Sequence, residues 1–294
     1  MKKLEPRVIK ALPMPTILEV PHEGKMIRFA HPRSFCFDNS WLDEDIGALQ
    51  YPNDNRVYLN EKGRIIRKKL RQSTPEEFIS LIYLLRMDKK AKQGAFEILG
   101  RGDSIYLFNN TTLWAQEGVY MINGHIRDKF VRDLTHGTAP CYIRGELSTC
   151  SIISSEPVQK RLAEDPNQYS VDGVLISGDR EVAFAPKGTY KTGEHTVESF
   201  AKDGLVIALA RGKEGAYKLA EILQAIKKES SPEYWRAPTI QDNPEPQDNQ
   251  AWQGYWRDQE SSLKLANYSR EPTLGFYKSW DSNSGLSSPA VICD

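Results

Sequence analysis

Arg211-Gly212-Lys213-Glu214-Gly215 is the stretch whose residue types come nearest to a chemical device. It falls between a continuous apolar run, Leu205 to Ala210, and a helical pattern carrying Leu219, Ile222, Leu223 and Ile226. The apolar run reads as a strand buried on both faces, which makes this a strand-loop-helix step. A turn at a helix N-terminus offers free N–H groups and the positive end of the helix dipole, and Arg211 and Lys213 add full charges. Gly212 and Gly215 allow an anion close approach. Lys187, in Ala185-Pro186-Lys187-Gly188-Thr189, is a candidate to converge on the same place. The chemistry so predicted is binding of a nucleotide or another phosphorylated small molecule. The spacing matches neither G-x-x-x-x-G-K-[ST] nor G-x-G-x-x-G, so an ordinary turn before a helix accounts for the same residues.

A second group is charged rather than catalytic. Lys62, Arg64, Arg67, Lys68, Lys69 and Arg71 occur within ten residues, and no acid follows until Glu76. Such a run can neutralise a nucleic-acid backbone, gaining affinity by counterion release, with Tyr58 on the preceding strand placed to stack on a base. Lysine and arginine on an edge strand also discourage sheet-to-sheet aggregation, and that plain role fits the spacing equally well.

Other chemistries lack their residues. The five histidines, His22, His31, His125, His136 and His195, do not pair with one another or with cysteine at zinc-ligand spacing. His31, Cys36 and Asp38 are too few for a four-ligand site. No metal and no cofactor is expected. There is no G-x-S-x-G, and no serine or cysteine has a context that supplies a base, so no catalytic residue is assigned. Asp172, Glu181 and Lys187 lack the acid-x-Lys step of metal-dependent nucleases. His136 reads as a loop residue.

The elements that must position these groups are legible in part. Thr74-Pro75-Glu76-Glu77 is a capping box with proline at the first helical position. Phe78, Leu81, Ile82 and Leu85 follow at helical spacing. Hairpins are predicted around Pro21-His22-Glu23-Gly24, around Asn60-Glu61-Lys62-Gly63 and at Gly178-Asp179, the last joining Val171–Ser177 to Glu181–Phe184. A meander is expected over residues 95–124, turning at Asn109-Asn110-Thr111-Thr112 and at Asn123-Gly124. Residues 128–134 and a segment starting at Ser155-Glu156-Pro157 read as helices. Cys141-Tyr142-Ile143-Arg144 and Leu147–Ile153 read as a strand pair that brings Cys141 and Cys150 near each other. The order of elements predicts α+β with mostly antiparallel sheet.

A break in composition near Ser230 divides an expected globular body, residues 1–229, from an irregular arm, residues 230–294, with a further subdivision of the body near 135–140. The chain has 39 basic and 39 acidic residues. Beyond Ser230 there are five basic and nine acidic residues, a net of −4, which leaves +4 to the body. The arm is rich in Pro, Asn, Gln and Asp, yet it holds Tyr234, Trp235, Trp252 and Tyr255. Trp256, Phe276, Tyr277 and Trp280 follow. Free tails are poor in aromatics, so these are expected to dock on a surface, of this chain or of a partner.

No run approaches the ~18 apolar residues of a bilayer span, the first residues lack the apolar core of a signal peptide, and the four cysteines are far apart. A cytoplasmic protein without membrane contact is expected. The function these features favour is a non-enzymatic subunit or adaptor of a larger assembly. The alternative is an enzyme with an anion site at residues 211–215.

Overall fold

Thr74 and Glu77 cap a helix reciprocally: the Thr74 N–H donates to Glu77 Oε2 at 2.9 Å and the Glu77 N–H to Thr74 Oγ1 at 3.4 Å. The helix they open, α1 (Pro75–Met87), buries Phe78, Ile79, Leu81, Ile82 and Leu85. These details come from a computed structural model, which describes residues 7–9, 16–31, 56–59, 65–68, 70–87, 104–115, 117–123, 139–143, 146–150, 152–229, 237–240, 255–257, 259–265, 273–276, 285–287 and 290–292. Residues 95–99 of the expected meander and the expected helix at 128–134 lie outside the described residues.

The fold is α+β, and its sheets are mostly antiparallel. A ten-stranded sheet is centred on Ser104–Ala115 and Gly118–Asn123, and a five-stranded sheet is built on the hairpin Thr16–His22 with Lys25–His31. That hairpin turns through Glu23 and Gly24, at φ 47° and 76°, the two left-handed positions of a type I′ turn. Arg56–Leu59 pairs antiparallel with Ile65–Lys68, as the basic hairpin predicts. Ala139–Ile143 pairs with Glu146–Cys150, but Cys141 faces Ser148 and Cys150 faces Ala139, so the two cysteines are not opposite one another.

The strand Gly118–Asn123 is buried along its whole length, and alternation along it feeds two cores. Val119 and Met121 belong to the main core with Ala183 and Ala185 of the neighbouring strand Val182–Pro186. Tyr120 and Ile122 belong to a second core with Leu113, Val182 and two residues of helix α2 (Ser155–Ala163), Val158 and Leu162. Tyr120 stacks on Phe184, the residue directly opposite, with centroids 4.3 Å apart. Burial on both faces explains why this run is apolar without alternation.

Three local expectations fail. Asn109–Thr112 is not a turn but the middle of a twelve-residue strand, Ser104–Ala115. The irregularity falls where the partner register slips between Glu260 and Ser262, so the polar residues mark a bulge. Val171–Ser177 is broken by a hairpin, Tyr169–Val171 with Val174–Ile176, whose Asp172-Gly173 turn has φ 49° and 85°; Asp-Gly is itself a type I′ signal. Leu205–Ala210 is not a strand. It belongs to a buried helix, α4 (Gly204–Leu209), which follows a short helix α3 (Val197–Ala201) and precedes α5 (Lys213–Glu229). Six apolar residues cannot distinguish strand from helix; the N-cap decides it, since Asp203 accepts from the Leu205 N–H. Gly204 lets the helix start against Thr189, where a Cβ would stand 2.5 Å from Oγ1.

The described strands beyond Ser230 pair within the chain. Gln259–Leu265 lies beside Ser104–Ala115, Thr273–Phe276 beside Gln259–Leu265, and Gly285–Ser287 runs parallel to Ser104–Ala115. Ala290–Ile292 inserts between Lys25–His31 and Leu70–Gln72, and Val291 is 3% exposed. Ending the chain after Ser284 is therefore expected to lower the urea midpoint and to strip amide-exchange protection from Lys25–His31; unchanged protection there would contradict the strand insertion. Thr74→Ala is expected to cost ~1 kcal/mol in the same denaturation assay.

Candidate functional site

Helix α4 ends in a Schellman motif: the Gly212 N–H reaches the Ile207 carbonyl at 3.0 Å and the Arg211 N–H the Ala208 carbonyl at 3.4 Å. The left-handed residue of that motif is usually glycine, and here it is Arg211, at φ 54°. A second arginine, Arg180, is left-handed at φ 62° in the turn from Ser177 to Val182. Two bulky residues in glycine-favoured conformations need a compensating interaction. Their side chains provide one. Arg211 Nε donates to the Arg180 carbonyl at 3.0 Å, and an Arg180 terminal nitrogen donates to the Arg211 carbonyl at 2.9 Å. Each guanidinium thus holds the backbone of the other turn.

Arg211 is 1% exposed. Its remaining donors go to the Ala208 carbonyl at 2.7 Å, the Met121 carbonyl at 3.0 Å and the Asn123 side-chain oxygen at 3.0 Å. Burial lowers its pKa to about 10, so it remains charged at neutral pH. Arg180 also pairs with Glu23 in the first hairpin turn. Glu76, in the first turn of α1, approaches Arg180 Nε at 3.9 Å. Two acids and two arginines from four chain segments close a nearly neutral cluster. Glu76 Oε2 and Arg180 Nε are buried in it without a hydrogen-bond partner. Burial raises the Glu76 pKa, with the Arg211 charge opposing the shift.

The predicted anion site is therefore rearranged. Arg211 points inward and donates to carbonyls, Gly212 closes the helix end, and Gly215 packs where a Cβ would meet Ala210 Cβ at 2.8 Å. Lys213 pairs with Asp172 at 2.7 Å. Lys187 is exposed beyond Val182–Pro186, its N–H bonded to the Glu117 carbonyl. Glu181, another residue of the nuclease-like pattern, pairs with Arg161, which also holds Asp179 at 2.6 Å.

Of the basic run, Arg67, Lys68 and Arg71 have backbone in strands, while Lys62, Arg64 and Lys69 lie outside the described residues. Tyr255, Trp256 and Phe276 fall in strands, and Tyr234, Trp235, Trp252, Tyr277 and Trp280 lie outside the described residues. His31 ends a strand, whereas Cys36 and Asp38 lie outside the described residues, as does His136. Among the described residues no group of three metal-ligating side chains occurs, and no helix is long and apolar enough to cross a membrane.

Sequence reasoning missed Glu76 and Arg180 as site residues. Arginine followed by glycine after six apolar residues was the available signal, since it marks a helix end. No family model matches the chain, and no curated protein or solved structure matches it.

Arg211→Gly relieves about 1 kcal/mol of backbone strain but removes every side-chain donor that Arg211 brings to the clasp. The expected net effect is a loss of ~2–4 kcal/mol in equilibrium unfolding, and a gain would show that the strain outweighs the bonds. For Glu76 the folded pKa is raised, so its folded state favours the neutral acid. That contribution is present below the ordinary glutamate pKa and is lost as pH rises through the folded value. Glu76→Gln is expected to raise the melting temperature at pH 7–8 and to leave it unchanged below roughly pH 4.

Proposed function

We propose that the protein is a non-enzymatic subunit of a larger cytoplasmic assembly, which docks through its aromatic C-terminal segment and meets a nucleic-acid backbone through the basic hairpin. The observation that carries this reading is the pairing of the segment's described strands into the body. Of the aromatic residues, Tyr255 and Trp256 lie on the strand Tyr255–Arg257, which pairs with Ile152–Ser154, and Phe276 ends the strand Thr273–Phe276, which pairs with Gln259–Leu265. Aromatic side chains held near a folded surface are the anchors that interfaces draw on.

Two exposed tyrosines add a second, ordered surface. Tyr217 is 48% exposed on α5, one turn beyond Lys213, and Tyr169 is 39% exposed on the hairpin that carries Asp172. The Lys213–Asp172 ion pair joins the two elements that present them. Tyrosine combines an apolar ring with a polar tip, which suits an interface that is wet when free and dry when bound. The inward orientation of Arg211 also turns the strongest charge of the 211–215 loop away from any ligand, which leaves the enzyme alternative only Lys187 and Lys213.

In native extract the full chain is expected to travel well above its own 33.4 kDa and to be retrieved with stoichiometric partners. Recovery at its own mass in both extract and purified form would reject the assembly. Replacing Arg67, Lys68 and Lys69 together by glutamine is expected to weaken nucleic-acid binding and to reduce the log–log salt slope by roughly 3; an unchanged slope removes the hairpin from the interface.

A further inference from the structure

The segment before α4 places a hydroxyl, an imidazole and a carboxylate in one short stretch. The backbone of His195 is held by the C-terminal segment: its N–H donates to the Pro238 carbonyl at 2.8 Å, and Gly193–Glu194 pairs with Thr239–Ile240. Its ring is enclosed, with a side-chain exposure of 5%, and it meets Phe200 edge-on. Nε2 lies 2.7 Å from the Lys191 carbonyl. A carbonyl only accepts, so Nε2 carries the proton and Nδ1 carries the lone pair. Nδ1 faces the hydroxyl of Ser199 at 3.3 Å, and Ser199 is exposed.

On the opposite side, Asp203 Oδ2 lies 3.9 Å from Nε2. That carboxylate is fixed by the Lys191 N–H at 2.8 Å and the Leu205 N–H at 2.9 Å. The local fold explains the spacing. Thr196 N-caps α3 by accepting from the Ser199 N–H at 3.0 Å, which sets Ser199 one turn from His195, while Asp203 caps the next helix. The Ser199 hydroxyl has a second acceptor, the Thr196 carbonyl at 3.1 Å, so its single proton divides between the two.

We infer that Ser199 and His195 form a nucleophile–base pair, and that Ser199 accepts an acyl group from an activated ester or thioester. Ser199 Oγ attacks the acyl carbon and its proton passes to His195 Nδ1. The Oγ–C bond forms and the C–O or C–S bond to the leaving group breaks. The leaving alkoxide or thiolate takes the proton from Nδ1, so no oxidant or further reactant is needed. Asp203 faces the imidazolium while it exists. No arrangement of donors for the developing oxyanion accompanies the pair among the described bonds, which restricts the donor to acyl groups with a good leaving group. The inference stands apart from the assembly reading, since a subunit can carry a modifiable serine.

The test is labelling of the full chain with a biotinylated fluorophosphonate, which forms an Oγ–P bond with loss of fluoride, followed by mass mapping. The adduct is expected on Ser199, absent in Ser199→Ala, and formed about 100-fold more slowly in His195→Gln, whose amide can still donate to Lys191. Asp203→Asn keeps an acceptor for the Leu205 N–H but not one for the Lys191 N–H, so it is expected to lower the melting temperature and, at a temperature where it is still fully folded, to slow labelling. No adduct, an adduct confined to other residues, or an undiminished rate in both His195→Gln and Asp203→Asn would overturn the inference.

Discussion

The mutual clasp of Arg180 and Arg211 is the interaction on which the described core depends. Both residues occupy backbone conformations that favour glycine, and glycine there would leave the enclosed carbonyls of Ala208 and Met121 without these donors. A guanidinium presents five N–H groups in a planar fork, so one side chain can reach the ends of several elements at once. Arg211 joins the α4 terminus, the strand Gly118–Asn123 and the turn at Arg180. The cost of burying its charge is offset by these bonds and by Glu76, which lies close enough to raise its pKa against the larger effect of burial.

That clasp explains how an entirely apolar helix sits against a strand that is itself buried on both faces. Every residue of α4 is buried, so nothing on its surface fixes its rotation about its own axis. Hydrophobic burial is not directional. Directional bonds at the two ends supply the missing constraint, through the Asp203 cap at the start and Arg211 at the finish. Glu76 and Glu23 extend the network into α1 and the first hairpin, and so connect the two large sheets.

The same logic separates charges that hold the chain from groups left available. Arg211, Arg161 and Lys213 are all engaged within the chain. Tyr169, Tyr217 and Ser199 are exposed, on a strand, on α5 and on α3 respectively. Ser199 differs from an ordinary surface serine because the imidazole beside it is buried and its tautomer is fixed by a backbone carbonyl.

Local chemistry alone determined several elements. The Thr74 capping box, the Glu23-Gly24 turn and the pairing of Arg56–Leu59 with Ile65–Lys68 depend on residues close in sequence, and so did the α+β class. Tertiary structure decided what local patterns leave degenerate. Leu205–Ala210 suits a strand or a buried helix by composition, and Asn109–Thr112 suits a turn or a bulge. The inward aim of Arg211 depends on partners 31 to 90 residues away, Arg180 and Met121, and the path of the C-terminal segment on strands still more distant in sequence, as Gln259 opposite Thr112 and Ala290 opposite Ala30. A pattern of side chains along a chain records which face is apolar; it does not record which distant carbonyl needs a donor.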